Sequence, residues 1–221
     1  MPRSKNHPPS DDSPDAAYAC LRETMRSYAP IGDGTWTAFR SICGVRRVQK
    51  GEALVRIGEV PRSLFFVYAG LFRAFMIGGA NGEREVNKNF FEEGRFPASV
   101  AALLTGSESE FCIAALEDSI VVEIDHAAYR RLLARNEELK TYHIAYLEKH
   151  WVLEKEPQEV ALLQDDAKVR YADFIKYNPD LARRIPLHHI ASRIGVTPTQ
   201  LSRIRNQATK KAAPRPDSQH M

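Results

Sequence analysis

A chain of 221 residues, 43% hydrophobic and 27% charged, has the material for one or two soluble domains with a substantial core, which excludes fibrous and membrane classes. No apolar run reaches the length of a transmembrane helix, and the opening MPRSKNHPPSDDSPD lacks the apolar centre of a signal peptide, so a cytoplasmic protein with no membrane partner is expected. The net charge of +3 conceals a division: residues 168–211 hold ten Lys or Arg against Asp173 and Asp180, a net +8 that leaves the remaining chain at −5. A basic end of this kind suits phosphate binding, and an acidic remainder is repelled by it.

Residues 1–15, rich in Pro, Ser, Asp and Asn, are expected to be disordered. Helical spacing of Ala17, Cys20, Leu21 and Met25 predicts a short helix, and a second helical piece is placed around Trp36–Ile42. From Val45 to Asp125 the period changes to short strands separated by turn residues, including the turn GGANG. Glycines at 51, 58, 70, 82 and 94 recur about every twelve residues, as in a small double-layered antiparallel β-roll. A helix over His126–Ala134 follows, and a longer helical stretch starts near Glu137.

That stretch, EELKTYHIAYLEKHWVLE, carries two apolar stripes: Leu139, Tyr146 and Leu153 on one side, Ile144, Leu147 and Trp151 on another. Two stripes are most simply used by packing one on the chain's own barrel and the other on a second copy, so these six residues are the expected dimerisation set. Pro157 should interrupt the helix or start the next. A helix over AKVRYADFIKY should end at Asn178 and Pro179.

The segment PLHHIASRIGVTPTQLSRIRNQ, residues 186–207, fits a helix-turn-helix. Ile190, Ile194, Val196, Leu201 and Ile204 are the apolar positions that would pin the two helices, Ala191 is small where they meet, and Gly195 supplies a left-handed exit. Thr197 is placed to cap the second helix and Pro198 to begin it. With Leu201 and Ile204 inward, the outward face offers Pro198, Thr199, Ser202, Arg203 and Asn206, with Gln200 beside them. In the major groove an Arg can bond both acceptors of a guanine, so Arg203 is the expected base reader, with Thr199, Gln200 and Ser202 reading bases or water and Thr197 facing a phosphate.

Several chemistries are excluded. Cys20, Cys43 and Cys112 are far apart and odd in number, which gives no disulfide framework and no zinc or iron–sulfur spacing. No His lies between His7 and His126, so the roll has no imidazole for haem or for a cupin-like metal centre, and no metal site is proposed. His143 and His150 are assigned to the dimer seam or to solvent, and His188 and His189 should point in different directions. No G-x-S-x-G elbow, phosphate-binding glycine loop or Cys with a nearby His is present, so the chain is not expected to be an enzyme.

The order of parts resembles the Crp/Fnr family of bacterial transcription regulators. The residues that carry the resemblance are KGEALVRIGEVPRSLFFVYAGLFRAF and ALEDSIVVEID in the roll, RYADFIKYNPDLARRIP after the long helix, and IASRIGVTPTQLSRIR. The resemblance implies an α+β chain with an N-terminal antiparallel β-roll of the cyclic-nucleotide-binding jelly-roll type, a long dimerisation helix and a C-terminal helix-turn-helix domain. The corresponding divisions are a disordered N-terminus at 1–15, the sensor roll with flanking helices at 16–135, the dimerisation helix and linker at 136–163, the DNA-binding domain at 164–207 and a disordered tail at 208–221. It implies a homodimer on a palindromic site of double-stranded DNA, with RNA polymerase and a small-molecule effector as further candidate partners.

Relatives that bind cyclic AMP hold the ribose with a Glu and the phosphate with an Arg. In the matching segment, GRFPASVAALLTGSESEFCIAALED, Ala98 stands in place of the Glu and Ser109 in place of the Arg, with Glu108 and Glu110 adding negative charge. A phosphate would be poorly served there, so no cyclic nucleotide or other cofactor is expected. Phe96, Ala98, Ser99, Ser109 and Phe111 remain the candidate lining for a different effector, and Arg95 reads as a surface residue. The alternative function is an effector-binding roll whose helical domain meets protein rather than DNA.

Overall fold

The computed structural model describes residues 12–78 and 84–212. The chain divides into two compact units, residues 1–158 and 159–221.

In the first unit, α1 (Pro14–Arg26) starts inside the stretch expected to be disordered. Ser13 Oγ accepts the Ala16 N–H at 3.2 Å and Pro14 occupies the first turn, so cap and helix start are both built from the polar opening. Ala17, Leu21 and Met25, one turn apart, are fully buried. α2 (Asp33–Arg40) begins three residues before the expected Trp36.

The roll follows as β1 (Cys43–Val48), β2 (Ala53–Val55), β3 (Ser63–Ala69), β4 (Phe72–Gly78), β5 (Arg84–Phe91), α3 (Val100–Thr105), β6 (Cys112–Ala115) and β7 (Ser119–Asp125). The strands form two antiparallel sheets, in the orders β1-β7-β3 and β2-β6-β4-β5. From Gly79 the expected GGANG turn, Gly82 included, lies outside the described residues.

The three-stranded sheet is buried on both faces because alternate residues serve different cores. Phe65, Val67 and Val121 join Val48, Val55, Phe72, Phe111 and Ile113 between the sheets. Phe66, Tyr68, Ile120 and Val122 point the other way, against α1, α2, α4 (His126–Arg135) and α5 (Glu137–Leu147). Gly70 makes the corner between β3 and β4 at φ +108°, and a Cβ there would lie 2.0 Å from Ser119 Oγ. Only glycine meets both demands.

α5 runs into a π-helical turn, Glu148–Leu153, and then α6 (Lys155–Gln164), with Pro157 in its first turn where a missing N–H costs little. The π turn changes the helix phase, and this breaks the expected stripe. Leu139 is fully buried and Tyr146 packs on the same helix-side core, whereas Leu153 is 72% exposed. Leu139 and Tyr146 therefore serve their own domain rather than a dimer seam. Ile144 and Trp151, from the other stripe, stay exposed at 56% and 43%, with Leu147 half-buried.

In the second unit, α7 (Ala167–Tyr177) covers the expected AKVRYADFIKY, with Asp166 accepting the Lys168 and Val169 N–H groups. A helix that the sequence reading did not place, α8 (Pro179–Arg184), follows, then α9 (Leu187–Arg193) and α10 (Pro198–Ala212). Ile190, Ala191, Ile194, Val196 and Leu201 are buried together with Leu181 and Ile185. Gly195 has φ +76°, which lets the chain leave α9 sharply. α10 continues past Gln207 to Ala212, into the tail expected to be disordered.

Candidate functional site

The turn between α9 and α10 is closed by local bonds: the Ile194 N–H donates to Ile190 O, and the Val196 N–H donates to Ala191 O, both at 3.0 Å. α10 then starts with a reciprocal cap. Thr197 Oγ1 accepts the Gln200 N–H at 3.2 Å, and Gln200 Oε1 accepts the Thr197 N–H at 2.8 Å. This is the capping-box arrangement, with Gln three residues after Thr, and it satisfies two N–H groups that the helix start leaves open. Thr197 and Gln200 thus have a structural duty besides any contact with a partner. The T-x-x-Q spacing was visible in the sequence and would have announced it.

Thr197, Pro198, Thr199, Gln200, Ser202, Arg203 and Asn206 are all exposed, while Leu201 is buried and Ile204 half-buried beneath them. Residues 199, 202, 203 and 206 follow the three- and four-residue spacing of one helix face. The result is a polar face with a cation near its middle, held on an apolar base. His188 and His189, expected to diverge, lie with their rings 4.0 Å apart.

The segment assigned to an effector divides between the two cores. Ser99 and Ser109 are 1% and 2% exposed, with hydroxyl oxygens 2.9 Å apart, and Ser109 Oγ donates to Phe111 O at 2.7 Å. Phe111 belongs to the core between the sheets, with the Lys88 ammonium 4.3 Å above its ring. Phe96 is corrected: it lies in the helix-side core, its ring tilted against Phe66 at 5.0 Å and edge-to-face with Tyr146 at 5.3 Å. Ala98 is half-buried, and Glu108 and Glu110 are exposed.

Arg95 is also corrected. Its side chain is 27% exposed, and Nη2 donates to Glu154 Oε2 at 2.8 Å. His150 sits between them, with Nδ1 2.8 Å from Arg95 Nη1 and 2.9 Å from Glu154 Oε2, and with Nε2 2.6 Å from Tyr28 Oη. Burial pushes the His150 pKa down, with Arg95 acting the same way and Glu154 opposing. Burial pushes the Glu154 carboxyl up, but the bonds from His150 and Arg95 outweigh it and bring it down to about 2. His150 is thus neither at a seam nor in solvent, and His143 meets Tyr129 Oη at 3.1 Å. Nothing in sequence periodicity joins Tyr28, Arg95 and Glu154, which are brought together by the fold.

Residues 45–136 match the family model of the cyclic nucleotide-binding domain. The structure is similar to FixK2 from Bradyrhizobium japonicum, with TM-score 0.64 and 16% identity over 80% of this chain and 90% of that one. It is similar to CLP of Xanthomonas campestris, described as a c-di-GMP responsive global regulator, with TM-score 0.63 and 16% identity over 84% of this chain and 96% of that one. The chain shares the fold of these proteins, with a cyclic nucleotide-binding-type β-roll and a helical unit. The same fold relates it to the catabolite activator protein of Thermus thermophilus, at TM-score 0.51 and 19% identity over 87% and 90% of the two chains. A comparison with curated protein sequences finds no match. Among the described residues, no helix is long and apolar enough to cross a membrane, and no three His, Cys, Asp or Glu converge as a metal site.

Proposed function

We propose that the protein is a sequence-specific DNA-binding transcription regulator that acts as a homodimer on a palindromic site. The observation that carries this reading is the exposed face of α10, with Thr199, Ser202, Arg203 and Asn206 presented on a capped helix in a segment of net charge +8. A helix of about this width fits the major groove, where Arg203 would read a guanine and the other polar side chains adjacent bases or water. Thr197 at the helix start suits a phosphate.

A second copy of the chain is the partner for the apolar residues left on the segment from α5 to α6. Ile144, Trp151, Val152, Leu153 and Leu163 are 43–88% exposed, more apolar surface than a monomeric helix ordinarily leaves in water. A two-fold pairing there matches a palindromic site. RNA polymerase is a candidate neighbour of the DNA-bound dimer.

Cyclic AMP is not the effector in this reading. The position at which relatives neutralise a phosphate is Ser109, whose hydroxyl is already committed to Phe111 O and to the Ser99 hydroxyl. Burying a phosphate without a cation is unfavourable. Selection of bound sequences from random duplex DNA, followed by salt titration of the enriched site with and without cyclic AMP, tests all three parts. The expected result is a palindrome whose affinity falls steeply with salt and ignores the nucleotide. No enrichment would favour a protein partner for the helical unit, and a cyclic-AMP-dependent gain would reject the effector reading.

A further inference from the structure

Arg170, on the first turn of α7, takes no part in the DNA-facing surface, yet its guanidinium joins three elements of the helical unit. Its Nε donates to Ile194 O at 3.0 Å, and its Nη1 donates to Asp165 O. Its Nη2 lies 3.9 Å from where a Cβ on Gly195 would stand, so the fork is seated against the turn itself. The side chain is half-buried.

Both acceptors are carbonyls at helix ends. Ile194 is the C-cap of α9, 4% exposed, and lies four residues before Pro198 starts α10. Asp165 directly follows α6, and its N–H still donates to Ala161 O at 3.0 Å. Carbonyls at these positions lack intrahelical partners, carry the negative end of the helix dipole and are well matched by a cation. A guanidinium presents its N–H groups in one plane at fixed angles, so donating to both carbonyls fixes them relative to each other. The Asp166 side chain, which caps α7, holds the first turn of the same helix still.

We propose that Arg170 is a positioning residue that fixes the α9–α10 turn to the carboxyl end of α6, and thereby sets the spacing between the two half-sites that a dimer can read. This rests on the DNA-binding reading above. Sequence preference within a half-site comes from the outward side chains of α10, which Arg170 does not touch. Spacing between half-sites depends instead on how each α10 is held on the helix that leads to the partner chain. A lysine keeps the stem and the charge but has one ammonium in place of the planar fork, so it cannot hold both carbonyls in the same geometry.

The experiment is selection from random duplex DNA with the full-length wild-type chain, Arg170→Lys and Arg170→Gln, with thermal unfolding of each followed by circular dichroism. The proposal expects both variants to enrich the wild-type half-site sequence, with the spacer spread over two or more lengths where the wild type takes one. It also expects affinity for the wild-type operator to fall about tenfold, while operators with a spacer changed by one base pair lose less than they do with the wild type. An unchanged single spacer in Arg170→Lys overturns it, whatever happens to stability. Loss of the helical fold in Arg170→Lys assigns the residue a purely structural role and overturns it as well. Failure of the wild-type chain to enrich any sequence removes the DNA reading itself and the proposal with it.

Discussion

Arg95 and Glu154 meet across 59 positions of chain, Nη2 to Oε2 at 2.8 Å, and so tie the turn after β5 to the residue that follows the π-helical turn. His150 Nδ1 lies between them and cannot serve both: a neutral ring either accepts from the guanidinium or donates to the carboxylate. The pair is therefore the stronger link and the imidazole its adjustable third member.

Removing the cation should destabilise the first unit. Arg95→Met keeps most of the stem but leaves Glu154 partly buried with one partner fewer, at a cost of roughly 1.5–3 kcal/mol, the range for hydrogen bonds to charged groups. Chemical denaturation of the two proteins measures this, and equal midpoints would show the pair to be no better than an ordinary surface bridge.

The same cluster makes stability depend on pH. The folded pKa of His150 lies below its ordinary 6.5, so the unfolded chain takes up that proton first, and stability falls as pH drops below about 6.5 until the folded ring titrates too. Glu154 adds a second limb, because stability present above 4.5 is lost as pH falls towards about 2. The groups facing the ring are Tyr28, Arg95, Tyr146, Lys149 and Glu154. His150→Gln should flatten the limb below 6.5 and leave a smaller slope from His126 and His143, whose pKa values burial also lowers. An unaltered slope would mean that the ring binds its proton equally well in the folded and unfolded chain.

Gly70→Ala should be among the most damaging single changes in the roll. It combines φ +108° with a Cβ 2.0 Å from Ser119 Oγ and 2.8 Å from Ser119 Cα. A loss of about 2–4 kcal/mol is expected. Ser119→Ala in the same chain should recover only part of it, since the backbone contact and the dihedral remain. Full recovery would show the hydroxyl to be the whole obstacle.

At the helical unit, capping and contact can be separated. Gln200→Ala removes the acceptor for the Thr197 N–H and should cost about 1 kcal/mol of stability. Gln200→Glu keeps the acceptor at a favourable helix start, so thermal stability should hold while DNA affinity drops from lost donors and added charge. If both variants bind DNA as the wild type does, Gln200 is a cap alone.

Arg203→Ala should relax preference at one base pair in each half-site, at roughly 1–3 kcal/mol, without shifting the unfolding midpoint of a residue so exposed. Selected sequences compared with those of the wild type decide it, and an identical preference would assign base reading to another side chain.

Sequence periodicity was enough for the elements whose partners are local. The span of α7, the Gly195 exit, the Pro198 start and the closing strand SIVVEID all follow from residues within a few positions of one another. The missed features depend on distant partners. The π turn is invisible to a helical repeat, because residues that continue a stripe at normal pitch fall out of phase once one turn widens, as Leu153 does. α8 is six residues long, too short to show a period. Arg95 looked solvent-facing because its partners, His150 and Glu154, lie 55 and 59 residues away.

The sheet β1-β7-β3 has one further consequence. Its strands supply side chains to the core between the sheets and to the core beneath the helices at once, so neither core can loosen while the other stays packed. A slip of β7 by one residue would exchange its two faces, carry Glu123 towards the helix-side core and disturb both cores together. The roll and the helices around it accordingly form one cooperative block, which should melt in a single transition with equal calorimetric and van't Hoff enthalpies.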